Sequence, residues 1–226
     1  MTALVMLAPS ALAATPGVLP DTIEQRLVAC TSCHAAKDQR DAFFPHIAGK
    51  PAGYLYNQLI NFREGRRQYP LMTYMVDHLP DPYLREIAHY FSEQPPVTVP
   101  AQATTASRAA LARGRTLAML GDKAIDVPAC IACHGQKLTG VAPAIPGLLG
   151  LPRDYINAQF GAWRNHVRRA TAPDCMATIA GRLSDQDVAA VSGWLATQAM
   201  PLDARPAATP AAALPIQCGG ITNGAN

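Results

Sequence analysis

The chain has 226 residues, of which 15% are charged and 6% are aromatic, and its formal net charge is +3. This length permits one or two domains. The basic residues are neither interleaved with aromatic residues nor set along one stripe, which argues against a nucleic-acid-binding protein. The first 99 residues carry a net charge of −1 and the remainder +4. This split either orients the molecule towards two different partners or is an accident of surface composition.

An apolar run from Leu4 to Ala14 near the start of the chain ends in Ala-Leu-Ala. Such a run is typical of the hydrophobic region and cleavage site of a signal peptide, and it is too short to span a bilayer. The basic residues that should precede it are missing, and a loose Ala- and Pro-rich terminus is the alternative. We expect residues 1–14 to be a signal-peptide-like segment of an exported protein.

The pentapeptide Cys-x-x-Cys-His occurs twice, at residues 30–34 and 130–134. Two thiols at this spacing share one side of a helical turn and can add to the two vinyl groups of one porphyrin, while the adjacent imidazole binds the iron. Zinc sites and redox pairs also use Cys-x-x-Cys, but neither gives the repeated His a role. The motifs therefore predict two covalently bound haem c groups, attached through Cys30, Cys33, Cys130 and Cys133, with His34 and His134 as iron ligands.

Helical patterns surround the first motif in chain order. The periodicity predicts a helix leading into Cys30, an amphipathic helix over residues 54–63 and a loop over residues 68–72. A last helix is predicted to begin near Asp81 and to stop before Pro95.

The second half of the chain repeats this order. Pro146 to Pro152 matches Pro45 to Pro51 at an offset of 101 residues, and Leu183 matches Leu79 at 104. Landmarks that keep their register in this way indicate internal duplication. We expect domain 1 at residues 20–96, a Pro-rich linker at 97–106, domain 2 at 107–200, and a loose Pro/Ala/Gly-rich tail at 201–226.

The second axial ligand decides whether the sixth coordination position of each iron is filled or left open. Met72 and Met176 each lie seven residues before the Leu that opens the last helix of their repeat. A Met ligand favours ferrous iron and suits electron transfer, so we predict Met72 for the first haem and Met176 for the second. Met75 competes with Met72 but has Ile179 at the matching position of the second repeat.

The order Cys-x-x-Cys-His, Pro-x-x-x-Gly, Tyr-Leu-x-x-Gln-Leu, Phe-Arg-x-Gly-Arg, Met and Ala-x-Tyr-Phe resembles dihaem cytochrome c4 over about residues 21–200. The resemblance implies an all-α fold of two tandem class I cytochrome c domains related by pseudo-twofold symmetry. It also implies that the carbonyls of Pro45 and Pro146 accept hydrogen bonds from the haem-ligating histidines. Where the family has Gln, this chain has Lys50 and Leu151.

The remaining cysteines, Cys175 and Cys218, allow three interpretations. They form a disulfide, as suits an oxidising compartment, or they stay free or pair with another chain, or Cys175 binds the second iron as a thiolate. Other histidines do not recur between the halves and are expected at the surface or behind the iron ligands, namely His46, His78, His89 and His166.

These patterns favour a periplasmic, soluble or membrane-peripheral carrier of single electrons that is not an enzyme. Its partners would be a quinol-oxidising complex or dehydrogenase as donor and a terminal oxidase or other acceptor, with no nucleic acid. The alternative is a dihaem peroxidase or thiosulfate dehydrogenase, which needs one labile or unusual haem ligand. Haem-based gas sensing would require an open iron and a signalling domain, and no such domain is visible in the sequence.

Overall fold

The computed structural model describes residues 21–34 and 44–224. The signal-peptide-like segment predicted at residues 1–14 lies outside the described residues. Helices dominate the fold, and they surround two separate apolar cores. Among the described residues, no helix is long and apolar enough to cross a membrane.

The first core lies between helices α3 and α5, where Leu55 and Phe62 pack with Leu84 and Phe91. The predicted amphipathic helix and last helix are confirmed. The predicted loop over residues 68–72 is wrong, because Pro70 starts a short helix there, at a position where its fixed φ suits the first helical turn. The helices are α1 Ile23–Arg26, α2 Val28–His34, α3 Ala52–Arg63, α4 Pro70–Val76 and α5 Asp81–Glu93.

The second core is built from a matching set of helices and a short hairpin. Strands β1 (Gly140–Val141) and β2 (Ile145–Pro146) pair antiparallel, with Val141 opposite Ile145. A 3₁₀ turn spans Lys123–Ile125. The helices are α6 Arg108–Met119, α7 Ile131–His134, α8 Arg153–Arg164, α9 Cys175–Arg182 and α10 Asp185–Ala196.

Helices α6 and α10 make the tightest helix crossing of the second core. Ser107 caps α6, accepting a hydrogen bond from the Ala110 amide at 3.2 Å. Gly114 permits the close approach, since a Cβ at this position would lie 2.1 Å from the Ala190 carbonyl oxygen. The crossing therefore requires a residue without a side chain.

Helix α10 starts with a capping box. Ser184 Oγ accepts from the Asp187 amide, and Asp187 Oδ2 accepts from the Ser184 amide, both at 3.1 Å. Arg113 of α6 adds a second tie, with Nε 2.7 Å from Asp187 and Nη1 2.7 Å from Asp122. Burial alone would raise the pKa of Asp187, but Arg113 and Ser184 outweigh it and lower that pKa.

The prediction of a loose tail after residue 200 is wrong. Ala207 pairs with the β1 segment through two backbone hydrogen bonds. Its amide donates to the Gly140 carbonyl at 2.9 Å, and its carbonyl accepts from the Ala142 amide at 2.8 Å. Further along, a 3₁₀ helix at Gly219–Gly224 packs on α3 of the other core, where the Asn57 side chain donates to the Gly220 carbonyl. Composition suggested a loose segment because Pro and Gly discourage helices, but backbone hydrogen bonds and a disulfide hold it.

Candidate functional site

A cavity of about 480 Å³ lies between the two cores and is lined by both. Nine of the ten predicted site residues line it. The tenth, Cys33, lies on α2 beside the cavity-lining Cys30 but does not line the cavity. The nine are Cys30, His34, Pro45, Met72, Cys130, Cys133, His134, Pro146 and Met176.

Both predicted proximal histidines are oriented by a proline carbonyl. His34 Nδ1 lies 2.9 Å from the Pro45 oxygen, and His134 Nδ1 lies 2.8 Å from the Pro146 oxygen. A carbonyl can only accept, so Nδ1 carries the hydrogen and Nε2 keeps its lone pair for a metal. Burial lowers the pKa of both imidazoles, which favours the neutral form that binds iron.

The methionines differ in where their side chains lie. Met72 and Met176 line the cavity, whereas Met75 packs against the first core and is not among the cavity-lining residues described. Burial raises the pKa of the Cys130 thiol to about 11, and it also raises the pKa of Cys30 and Cys133. Burial therefore disfavours the charged thiolate at these three positions.

Two equivalent arginines brace the Met-bearing segments. Arg63 Nη1 donates to the Leu79 carbonyl at 2.8 Å, and Arg164 Nε donates to the Ala180 carbonyl at 2.8 Å. Arg164 also contacts Leu183, which is the counterpart of Leu79. Each arginine thus ties the end of α3 or α8 to the backbone that follows the Met.

A polar network lies where the two cores meet. Arg67 donates to Gln58 at 2.9 Å and to Tyr155 and Gln159 at 3.0 Å. Arg168, which is 7% exposed, donates to Gln159 at 2.7 Å and to Gln58 at 3.2 Å. Both arginines thereby cross-link side chains of α3 and α8.

The backbone around this network is paired reciprocally. Arg67 and Arg168 form an antiparallel bridge. The Gln68 amide donates to Val167 at 2.8 Å, and the Arg169 amide donates to Arg66 at 2.7 Å. Since each partner is 101 residues from its counterpart, these two bonds are equivalent under the pseudo-twofold axis.

The charge of this interface suits an anionic cofactor. Burial lowers the pKa of Arg168, and the like charge of Arg67 lowers it further. Within the described part of the chain, no carboxylate forms a salt bridge with Arg67, Arg168 or Lys50. Buried cations require partners, and the propionates of a porphyrin carry that negative charge. Arg67 and Arg168 would hold those groups.

A zinc interpretation finds no support in this geometry. Over residues 21–34 and 44–224, no three His, Cys, Asp or Glu side chains are grouped so that they could hold a metal ion. The two Cys-x-x-Cys pairs belong to different cores.

The disulfide interpretation of the last two cysteines is confirmed, because Cys175 and Cys218 are bonded to each other. The bond pins the tail beside Met176, and tail residues Leu214 and Ile216 line the cavity. A thiolate from Cys175 is therefore not available as a ligand. The other four histidines stay out of the main cavity, as expected for His46, His78, His89 and His166.

Sequence reasoning missed the arginines of the interface. Arg67 and Arg168 stand at the same offset of 101 residues that relates Tyr54 to Tyr155. That shared register is the signal that could have revealed them. Their function depends on a partner domain, which spacing along one repeat does not reveal.

Comparisons with known proteins place the chain among cytochromes. The thiosulfate dehydrogenase electron acceptor of Thiomonas intermedia is 37% identical over 171 residues, covering 75% of this chain and 78% of that protein. The cytochrome c4 of Pseudomonas aeruginosa is 31% identical over 175 residues, covering 76% and 85%. No protein-family model matches the chain.

Comparison with solved structures also places the chain among cytochromes. Reduced cytochrome c4 from Pseudomonas stutzeri superimposes with a TM-score of 0.63 at 28% identity, over 77% of this chain and 95% of that one. A thiosulfate dehydrogenase from Marichromatium purpuratum gives 0.66 at 30% identity, over 74% of this chain but 36% of that one. The all-α fold with two domains is therefore that of tandem cytochromes c, and the chain belongs to the dihaem cytochrome c4 family, whose two covalently bound haem c groups serve electron transfer.

Proposed function

We propose that this protein is a periplasmic carrier that takes single electrons from a thiosulfate-oxidising dehydrogenase and delivers them to a terminal oxidase or another acceptor. The observation that carries the proposal is the repeated pairing of a carbonyl-bound His with a Met on the wall of one shared cavity. Bound haem supplies an iron that gains and loses one electron. Two closed sites of this kind transfer electrons and leave no position for a substrate.

The proposed ligand sets follow from the same wall. His34 and Met72 bind the first iron, and His134 and Met176 bind the second. Thioethers form at Cys30 and Cys33 for the first haem, and at Cys130 and Cys133 for the second. The carbonyls of Pro45 and Pro146 keep each imidazole in the tautomer and orientation that ligation requires.

The proposed domain limits are residues 20–96 and 107–200, joined by the segment 97–106. The two apolar cores support these limits, since the helices around each core lie within one of the two ranges. Between the cores, the network of Arg67 and Arg168 links α3 to α8 and holds the two walls of the cavity in a fixed relation to each other. An electron can then enter through one domain and leave through the other.

The choice of donor rests on relatives. Two proteins named thiosulfate dehydrogenase electron acceptor, from Thiomonas intermedia and Stutzerimonas stutzeri, are 37% and 36% identical to this chain. A quinol-oxidising complex is the other donor of suitable chemistry. The enzyme alternative loses its main support, because the disulfide occupies the thiol of Cys175, the residue next to Met176.

Optical spectroscopy of the exported, purified protein tests this proposal first. We expect two haems per chain, both low-spin with the iron–methionine charge-transfer band, and no change on adding carbon monoxide. A Met176→Ala variant should bind carbon monoxide at one haem, which shows that the assay detects an open site. Carbon monoxide binding by the unaltered protein would contradict the closed-site carrier.

Rapid mixing then tests the donor. With thiosulfate and a thiosulfate dehydrogenase present, the haems should be reduced at least tenfold faster than with thiosulfate alone. Equal rates would reject this donor and leave the carrier function standing.

A further inference from the structure

We propose that Lys50 of domain 1 reaches across the interface and raises the reduction potential of the haem held by domain 2. The inference rests on the proposed ligation of that haem by His134. It adds to the proposed function a residue outside the ligand set that tunes one haem and not the other.

The backbone carries Lys50 to the interface. It follows Gly49, whose φ of +72° makes the turn, and it precedes Pro51, the N-cap residue of α3. This segment is held against domain 2, because the Gly53 amide donates to the Pro143 carbonyl at 2.9 Å. Lys50 lines the main cavity, and it also lines a smaller one of about 40 Å³ together with Gly147 and Leu151.

The ammonium of Lys50 acts on the second haem site. Burial lowers the pKa of Lys50, and the Tyr155 phenol of domain 2 opposes that effect. Gly147, which lines the smaller cavity together with Lys50, directly follows Pro146, whose carbonyl oxygen lies 2.8 Å from His134 Nδ1. In the described residues, no carboxylate forms a salt bridge with Lys50, so its charge is not cancelled by a side chain there.

A fixed positive charge near an iron changes its redox equilibrium. Reduction of Fe(III) to Fe(II) adds one electron and lowers the charge of the site by one, so a neighbouring cation stabilises the reduced form. In a buried, weakly screened interface this interaction is larger than at the surface.

The residue of domain 2 that matches Lys50 is uncharged, so it cannot raise the reduction potential of the first haem. Leu151 stands 101 residues after Lys50, follows Gly150 with a φ of +75°, and precedes Pro152, the N-cap residue of α8. The two backbone positions are therefore equivalent, but only one bears a charge.

Three variants of the haem-loaded protein test the inference. Lys50→Leu gives domain 1 the residue of domain 2, Lys50→Arg keeps the charge, and Leu151→Lys creates the mirror arrangement. Both midpoint potentials are measured in each variant by optical redox titration. Paramagnetic NMR assigns them, since it separates the methyl signals of the two haems.

In Lys50→Leu we expect a lower potential for the second haem alone. The electron-exchange equilibrium between the haems should shift at least threefold, which is about 28 mV at 59 mV per tenfold change. Lys50→Arg should restore most of the difference. Leu151→Lys should raise the potential of the first haem.

The inference is overturned if Lys50→Leu shifts the equilibrium less than threefold, if both potentials move together, or if Lys50→Arg behaves like Lys50→Leu. Leu151→Lys gives an independent answer should Lys50→Leu fail to fold. Optical spectra distinguish a failure of the inference about Lys50 from a failure of the proposed function. An intact methionine band with unchanged potentials rejects the function of Lys50 alone, whereas a missing band in the unaltered protein rejects the ligand set.

Discussion

The two domains share the parts that would hold haem and differ in the parts that surround them. Each has a His bonded to a proline carbonyl, at 2.9 Å in domain 1 and 2.8 Å in domain 2. Each also has an arginine, Arg63 or Arg164, that braces the Met-bearing segment. Duplication has therefore preserved the contacts on which the ligands depend.

The periphery of domain 2 is held by a different set of contacts from that of domain 1. It has the capping box, the close crossing at Gly114, the Arg113 ion pairs and the disulfide. Helix α5 of domain 1 instead has Pro80 as its N-cap residue, which makes no side-chain cap hydrogen bond. The difference teaches that the two domains share the contacts around the proposed haem ligands and differ in the contacts at their periphery, so peripheral contacts can be altered without touching a proposed ligand.

The largest effect is expected from removing the disulfide with the double change Cys175→Ser and Cys218→Ser. The bond closes a sequence separation of 43 residues, so its loss should destabilise domain 2 by about 4 kcal/mol through the freedom gained by the unfolded chain. Guanidinium unfolding followed at each haem measures the loss. The unfolding midpoint of domain 2 should fall relative to that of domain 1.

The optical spectrum is the control for this double variant. Both methionine bands should persist, because Cys175 is a neighbour of the ligand and not a ligand itself. Unchanged stability, or the loss of one band, would contradict this account of the tail.

A smaller effect is expected from Gly114→Ala. The new Cβ would lie 2.1 Å from the Ala190 oxygen, so α6 and α10 must separate, at a cost of about 3 kcal/mol. Differential scanning calorimetry should show the transition of domain 2 lowered while that of domain 1 stays. Gly161→Ala is the matched control. Its Cβ meets no atom within 4 Å, and it should be neutral or stabilise α8 by up to about 1 kcal/mol.

The smallest effect concerns the acid response of domain 2. The ion pair with Arg113 holds the pKa of Asp187 below its usual range, as it does for Asp122. Their stabilisation is therefore present above the unfolded value of about 3.9 and is lost as pH falls through the folded pKa values. Asp187→Asn should flatten this loss and cost less than about 1 kcal/mol at neutral pH.

Thermal unfolding between pH 5 and pH 3 measures that response. A slope that is equally steep in Asp187→Asn would show that the Arg113 pair does not cause it.

Features that depend on residues close together in the chain could be predicted from the sequence. The capping box at Ser184 depends on residues three apart, and the amphipathic α3 depends on a period of 3.6, so both could be predicted from one repeat. The ligand candidates could be predicted because each has a counterpart at nearly the same spacing. Met72 was preferred over Met75 on this ground, and of the two only Met72 lines the cavity.

Contacts between distant segments escaped prediction. The tail was expected to be loose because its composition disfavours helices, yet Ala207 pairs with β1, and Gly220 accepts a bond from Asn57 across 163 residues. Arg67 and Arg168 gain their partners only when two domains meet. No periodicity within a segment reports on such pairings, since they depend on the tertiary arrangement.

The reciprocal bonds at the pseudo-twofold axis have a consequence for how a tandem protein of this kind can arise. The bond from Gln68 to Val167 has its equivalent in the bond from Arg169 to Arg66. Residue i meets residue j and j meets i, which is the pattern of an isologous homodimer. A single-haem ancestor that paired with itself would already have possessed this contact. Gene fusion then needed only a tether, and it freed the two copies to diverge, as Lys50 and Leu151 have done.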